Sequence, residues 1–168
     1  MGSYRPISNL LYVSKLLERC VASQLNGYLS SGAYNEDYQS AYRPHHSTET
    51  ALLRVQNDIL VNMDNKEVTL LVLLDLSAAF DTVDHNILLN RLKNIDISGL
   101  VYDWLSSYLT GCTQAVFLDV VSSNLVNLTC GVPQGSVLGP ILFNIYTQPL
   151  GEIARKHGLN YHFYVDDT

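Results

Sequence analysis

A chain of 168 residues with 47% hydrophobic side chains suits one packed domain, or a piece of a larger one, and excludes wholesale disorder. It has no apolar run long enough to span a bilayer and no signal-peptide pattern, and Pro6 stands where a myristoylation site opened by Met1-Gly2 needs Ser or Thr. A net charge of −6 and the lack of a long basic stripe argue against strong phosphate-backbone binding by this chain alone.

In chain order, residues 13–29 predict a helix with Val13, Leu16, Leu17, Cys20, Val21, Tyr28 and Leu29 on one stripe and Gly32 as its stop. Residues 34–47 are polar and turn-rich. A second amphipathic helix is expected over about 48–63, with Ala51, Leu52, Val55, Ile59, Leu60 and Met63 inward. Val68 to Leu74 is a short apolar run ending at Asp75, which predicts a buried strand. Asp84 is placed to cap a helix carrying Ile87, Leu88 and Leu92. A helix near 99–110 should bury Leu100, Val101, Trp104, Leu105 and Tyr108 and end at Gly111. Residues 113–121 and 124–130 suggest a hairpin around Ser122-Ser123. Gly131 to Gly135 reads as a rigid loop, followed by a helix over about 137–146 with Pro140 in its first turn. Tyr161, Phe163 and Val165 alternate with His162 and Tyr164, as in a strand.

Charge divides unevenly: residues 1–55 sum to +1 and residues 56–168 to −7. The acidic part holds Asp75 at the end of one expected strand, and Asp166 and Asp167 at the end of another. Adjacent carboxylates repel and raise each other's pKa unless a cation lies between them. Strand ends can deliver side chains to one cleft, and three carboxylates there would suit magnesium or manganese. An Asp-Asp pair by itself is more often a solvated turn, and an Asp after an apolar run more often a strand terminator. Cys20, Cys112 and Cys130 have no disulfide or zinc spacing and fit reduced thiols of an intracellular protein. His45-His46 likewise lacks partners at zinc spacing.

The segments between the carboxylates give them weight. Leu74-Asp75-Leu76-Ser77-Ala78-Ala79-Phe80-Asp81, then Gly131-Val132-Pro133-Gln134-Gly135-Ser136-Val137-Leu138-Gly139-Pro140, then Tyr164-Val165-Asp166-Asp167 occur in that order. With these spacings the chain resembles a reverse transcriptase, and more closely the LINE-type, non-LTR retrotransposon enzymes. Tyr4-Arg5-Pro6-Ile7-Ser8-Asn9 and Gln39-Ser40-Ala41-Tyr42-Arg43-Pro44-His45-His46-Ser47-Thr48 are similar to that group's finger-region motifs. Val165 departs from the family's usual Ala.

The resemblance implies an α+β, right-hand polymerase fold of fingers and partial palm, with helices packed on a mostly antiparallel sheet. Residues 1–168 would form one domain, about 1–66 finger-like and about 67–168 palm-like. It implies RNA-directed DNA synthesis with two Mg2+ ions, Mn2+ being an alternative, on Asp75, Asp166 and Asp167. Phe80 would exclude a ribose 2′-hydroxyl. Gln134 and Gly135 would touch the incoming nucleotide and template, and Arg43 and Arg5, or Lys15, would meet its triphosphate. Partners would be an RNA template, a DNA primer and deoxynucleoside triphosphates, with no membrane.

The family's returning strand, thumb and endonuclease regions have no counterpart here. The expectation is therefore no sustained synthesis by these residues alone. Two other readings stay open: an inactive or repurposed retroelement fragment that binds nucleic acid or protein, and another two-metal nucleotidyl transferase. Asp81, Asp84 and His85 are expected to cap and orient the helix after them, and Phe80, Trp104 and the tyrosines also fit plain core positions.

Overall fold

The computed structural model describes residues 8, 10–43, 45–76, 78–118 and 120–164. Its elements are α1 (Tyr12–Ser31), α2 (Thr48–Asp64), α3 (His85–Asn94), α4 (Gly99–Leu109), β1 (Thr113–Gln114), β2 (Phe117–Leu118), β3 (Val121–Ser122), β4 (Val126–Asn127) and α5 (Gly139–Lys156). The class is mixed α+β, with antiparallel pairs β1–β4 and β2–β3. Contacts divide the chain into one unit of residues 1–23 and 80–146 and a second of residues 24–79 and 147–168.

The first unit holds most of the core. Leu88 and Leu92 of α3, Leu105 of α4, and Leu138 and Leu142 around the start of α5 are fully buried, as is Val83. Each such side chain contributes about 2 kcal/mol relative to exposure. Helix α3 starts where Asp84 accepts the backbone N–H groups of Asn86 and Ile87 at 2.8 and 3.0 Å, the cap expected of that residue. Arg91 and Lys93 complement the dipole of its last turn. Leu105 of α4 is buried as expected, with Leu109 four residues on along the same face, whereas Leu100 and Val101, also expected inward, are exposed.

The hairpin is real but its turn is displaced. Phe117 pairs with Ser122 and Leu118 with Val121, so Ser122 lies within the ladder rather than at its turn. Ser123 is held as a ladder continuation, donating its N–H to the Val116 carbonyl and accepting the Val116 N–H on its hydroxyl. Helix α5 outruns the expected 137–146 and passes through Pro149. Pro140 lies in its first turn, where the missing N–H costs nothing.

The buried stripe of α1 is also displaced. Leu29 is buried as expected, but the residues buried with it are Glu18, Ala22 and Leu25, whereas Val13, Leu16 and Leu17 are exposed. Spacing of four, three and four residues makes that a helical face, and the expected stripe was misplaced because its anchor is a carboxylate.

In the second unit, Ser47 and Thr50 form a reciprocal capping box at the start of α2. Of α2's expected inward residues only Ala51 is buried, while Leu52, Leu60 and Met63 are exposed. The largest correction falls on 68–74. No strand forms there, and Val68, Leu70 and Leu73 are 98, 86 and 79% exposed. A buried strand needs ladder partners for its N–H and C=O groups, and among the described residues none pairs with 67–74. Phe163, by contrast, is buried and bridges Gln39 in parallel, its N–H going to Tyr38 and its carbonyl receiving Ser40. No helix among the described residues is long and apolar enough to cross a membrane.

Candidate active site

The Gly131–Gly135 loop is seated on the Phe80–Val83 segment of the same unit. Val132 donates its N–H to the Phe80 carbonyl and Gly131 its N–H to the Val83 carbonyl, both at 2.8 Å. Gly131 has φ +91°, and a Cβ there would stand 3.0 Å from the Asp81 carbonyl oxygen, so this close approach requires glycine. Gly135, at φ +87°, is exposed and turns the loop outward.

Side chains tighten the seat. The half-buried Gln134 donates from Nε2 to Asp81 Oδ1 at 3.0 Å. His85 Nε2 donates to the Gly131 carbonyl at 2.7 Å. Asp84 does cap α3 as expected, but Asp81 and His85 serve the loop rather than only the helix after them. The contacts bridge 53 and 46 residues of sequence, which local patterns do not reveal.

Phe80 is half-buried, its ring 4.8 Å from that of the buried Phe143 and inclined at 32°. It is thus part of the core packing and partly accessible. Beyond the loop, Glu18 Oε2 accepts the N–H groups of Val137 and Leu138 at 2.6 and 3.2 Å, ahead of α5. Ser136 caps Gly139 through its hydroxyl at 2.9 Å. Burial pushes the Tyr108 phenol up to about 12, Ser136 working against it and the Glu18 charge adding to it. Sequence reasoning missed Glu18; its signal was a carboxylate in register with Ala22, Leu25 and Leu29.

In the second unit, Asp75 is exposed at the end of the uncovered run. Asp166 and Asp167 lie outside the described residues, as does Arg5. Among the described residues no group of three His, Cys, Asp or Glu side chains could hold a metal ion. The donor set named from the sequence, three carboxylates, has the chemistry that magnesium requires. Arg43 donates to the carbonyls of Glu36 and Asp37, each at 3.2 Å.

The same unit has a cleft of about 550 Å³ lined by residues that include His45, His46, Arg54, Asp58 and His162. The Arg54 guanidinium lies 4.6 Å from the Tyr38 ring centre. His162 hydrogen-bonds Ser40 Oγ at 2.8 Å. Burial, with Arg54 and His46 nearby, lowers its pKa below the ordinary imidazole value. Near the strand-like 161–164 segment, Glu36 accepts from the Tyr161 hydroxyl at 2.7 Å and from Arg155 at 2.9 Å, and Arg155 also contacts the Tyr161 hydroxyl. A Cβ at Gly151 would run into this group.

Residues 1–168 match the family described as reverse transcriptase (RNA-dependent DNA polymerase). The chain is 38% identical over 148 residues to a probable RNA-directed DNA polymerase from transposon BS of Drosophila melanogaster, covering 88% of this chain and 16% of that protein. It is 36% identical over 149 residues to the corresponding protein of transposon X-element from the same fly, covering 89% and 16%. Against the RNA-directed DNA polymerase from mobile element jockey of Drosophila melanogaster it is 34% identical over 174 residues, covering 100% and 19%. The chain thus spans under a fifth of the length of these relatives.

Proposed function

The chain belongs to the reverse transcriptase (RNA-dependent DNA polymerase) family, and from that premise we propose that it is the fingers and palm of a LINE-type, non-LTR retrotransposon enzyme. The reaction is transfer of a deoxynucleotide from its triphosphate to a primer 3′-hydroxyl, directed by an RNA template. Relatives from transposable elements agree with the branch read from the motifs. The observation that carries the site is the seating of the Gly131–Gln134 loop on Phe80 and Asp81, which joins two separate motifs.

Asp75, Asp166 and Asp167 hold the divalent ions in this reading. Two such ions, when bound, lower the charge cost at the attacking and leaving oxygens. The chain's own residues bind and select. Phe80 offers a ring edge where a ribose 2′-hydroxyl would otherwise fit, and its packing on Phe143 keeps that ring from yielding. Gln134 and the exposed backbone at Gly135 face the incoming nucleotide and template. Arg43 and Arg5 supply positive charge for the triphosphate. Residues of about 1–66 act as fingers and about 67–168 as palm, in one domain working inside the cell.

The test is addition of one deoxynucleotide to a primer on an RNA template with magnesium, using the intact protein that carries this domain. Addition that is lost in Asp166→Asn supports the reading. Undiminished addition in Asp166→Asn, or none by the unmodified protein, overturns it.

A further inference from the structure

We infer that Asp81 is a positioning residue that fixes which end of the Gln134 amide is offered to a bound nucleotide. The inference rests on the proposed reading of Gln134 as a nucleotide contact. An ionised carboxylate has only acceptor oxygens, whereas a glutamine amide has a donor end and an acceptor end. With Asp81 Oδ1 3.0 Å from the amide nitrogen, the amide has one compatible orientation: Nε2 toward Asp81, Oε1 away from it. Gln134 is half-buried, so this choice sets what the loop presents.

The backbone makes the pairing rigid rather than opportunistic. Gly131 and Val132 are hydrogen-bonded to Val83 and Phe80 on either side of Asp81, and a Cβ on Gly131 would stand only 3.0 Å from the Asp81 carbonyl oxygen. His85 fixes the Gly131 carbonyl from the next turn. Phe80 and Asp81 are neighbours with different tasks, the ring on Phe143 and the carboxylate on Gln134. The group presented is therefore an acceptor. It selects ligands with a matching donor, and a deoxynucleoside triphosphate has such donors in its sugar hydroxyl and base N–H groups.

The experiment uses the whole 168-residue chain, labelled with nitrogen-15. The Gln134 side-chain amide is assigned by its disappearance in Gln134→Ala, and dATP with magnesium is then titrated. The wild-type amide should exchange slowly and bind dATP. Asp81→Leu should speed amide exchange and weaken dATP binding by about tenfold, the loss expected for a charge-assisted contact. Asp81→Asn, which keeps an acceptor, should stay within about threefold of wild type. A preserved backbone spectrum separates these effects from unfolding, and Asp81→Asn remains informative if Asp81→Leu does not fold.

If Gln134→Ala weakens dATP binding while Asp81→Leu and Asp81→Asn both bind as wild type does, the positioning role is wrong and the nucleotide reading survives. If Asp81→Asn binds as weakly as Asp81→Leu, the acceptor argument is overturned. If the wild type binds no dATP although its amide is protected, the nucleotide reading of Gln134 fails and the Asp81 inference falls with it.

Discussion

The Glu18 carboxylate, 2% exposed, accepts the backbone N–H of Val137 at 2.6 Å and thereby ties α1 to the segment entering α5. Glu18→Ala leaves two N–H groups without that acceptor in a buried setting. It should lower unfolding stability by about 2–4 kcal/mol, and Glu18→Gln, which keeps an acceptor, by about 1 kcal/mol. Urea denaturation of the three proteins checks the order.

Phe80→Val should relax sugar discrimination. The ratio of deoxynucleotide to ribonucleotide incorporation should fall by at least about tenfold, because the smaller side chain opens the volume beside the 2′ position. Losing the ring contact with Phe143 should also cost about 1 kcal/mol of stability. Single-nucleotide incorporation assays with both sugar types decide the first point, and thermal melting the second.

His162 carries a built-in acid sensitivity. Its pKa is lowered in the folded state by burial, then by Arg54 and His46. The unfolded chain thus binds more protons near and below an imidazole's ordinary pKa of about 6.5, so stability rises with pH through that window. The contribution is present above about 6.5 and is lost as pH falls through the lower folded value. His162→Gln should flatten the acid limb of stability measured between pH 7 and pH 5, where about one titrating group is removed.

The Glu36 cluster should show an asymmetry between its partners. The Arg155 side chain is 48% exposed and that of Glu36 6%, so Arg155→Ala should cost under about 1 kcal/mol and Glu36→Ala several times more. Burial, then the hydrogen bond to Glu36 and its charge, raise the Tyr161 pKa. Glu36→Gln should therefore bring the Tyr161 titration back toward that of a free phenol, read by ultraviolet absorbance.

Divalent metal binding should depend on the three aspartates together. Calorimetry with manganese is expected to show weak binding that disappears when Asp75, Asp166 and Asp167 are all changed to Asn. Identical heats for the two proteins would remove the metal site from this chain.

Local signals in the sequence located most helices and little of what joins them. Asp84 announces α3 because a cap acts on N–H groups two and three residues away. Gly131 and Gly135 were legible as loop residues because positive φ favours glycine. Glu18, Asp81 and His85 were not legible in their actual roles, since each acts on backbone or side chains 46 or more residues distant. The exposed course of Val68–Leu74 was hidden for a different reason. Apolar composition states that a segment needs covering, while the ladder that covers it belongs to other residues. Helix α5 continues to Lys156, ten residues past the expected end at 146, and carries Pro149 inside it, a residue that ordinarily disfavours a helix interior.

That uncovered stretch has a colloidal consequence. Val68-Thr69-Leu70-Leu71-Val72-Leu73-Leu74 carries no charge, proline or glycine and is exposed throughout. Seven such residues are the signature of a segment that stacks copy upon copy into cross-β fibrils. Asp75 follows directly as a charged gatekeeper, so the carboxylate assigned to metal also guards the chain against self-association.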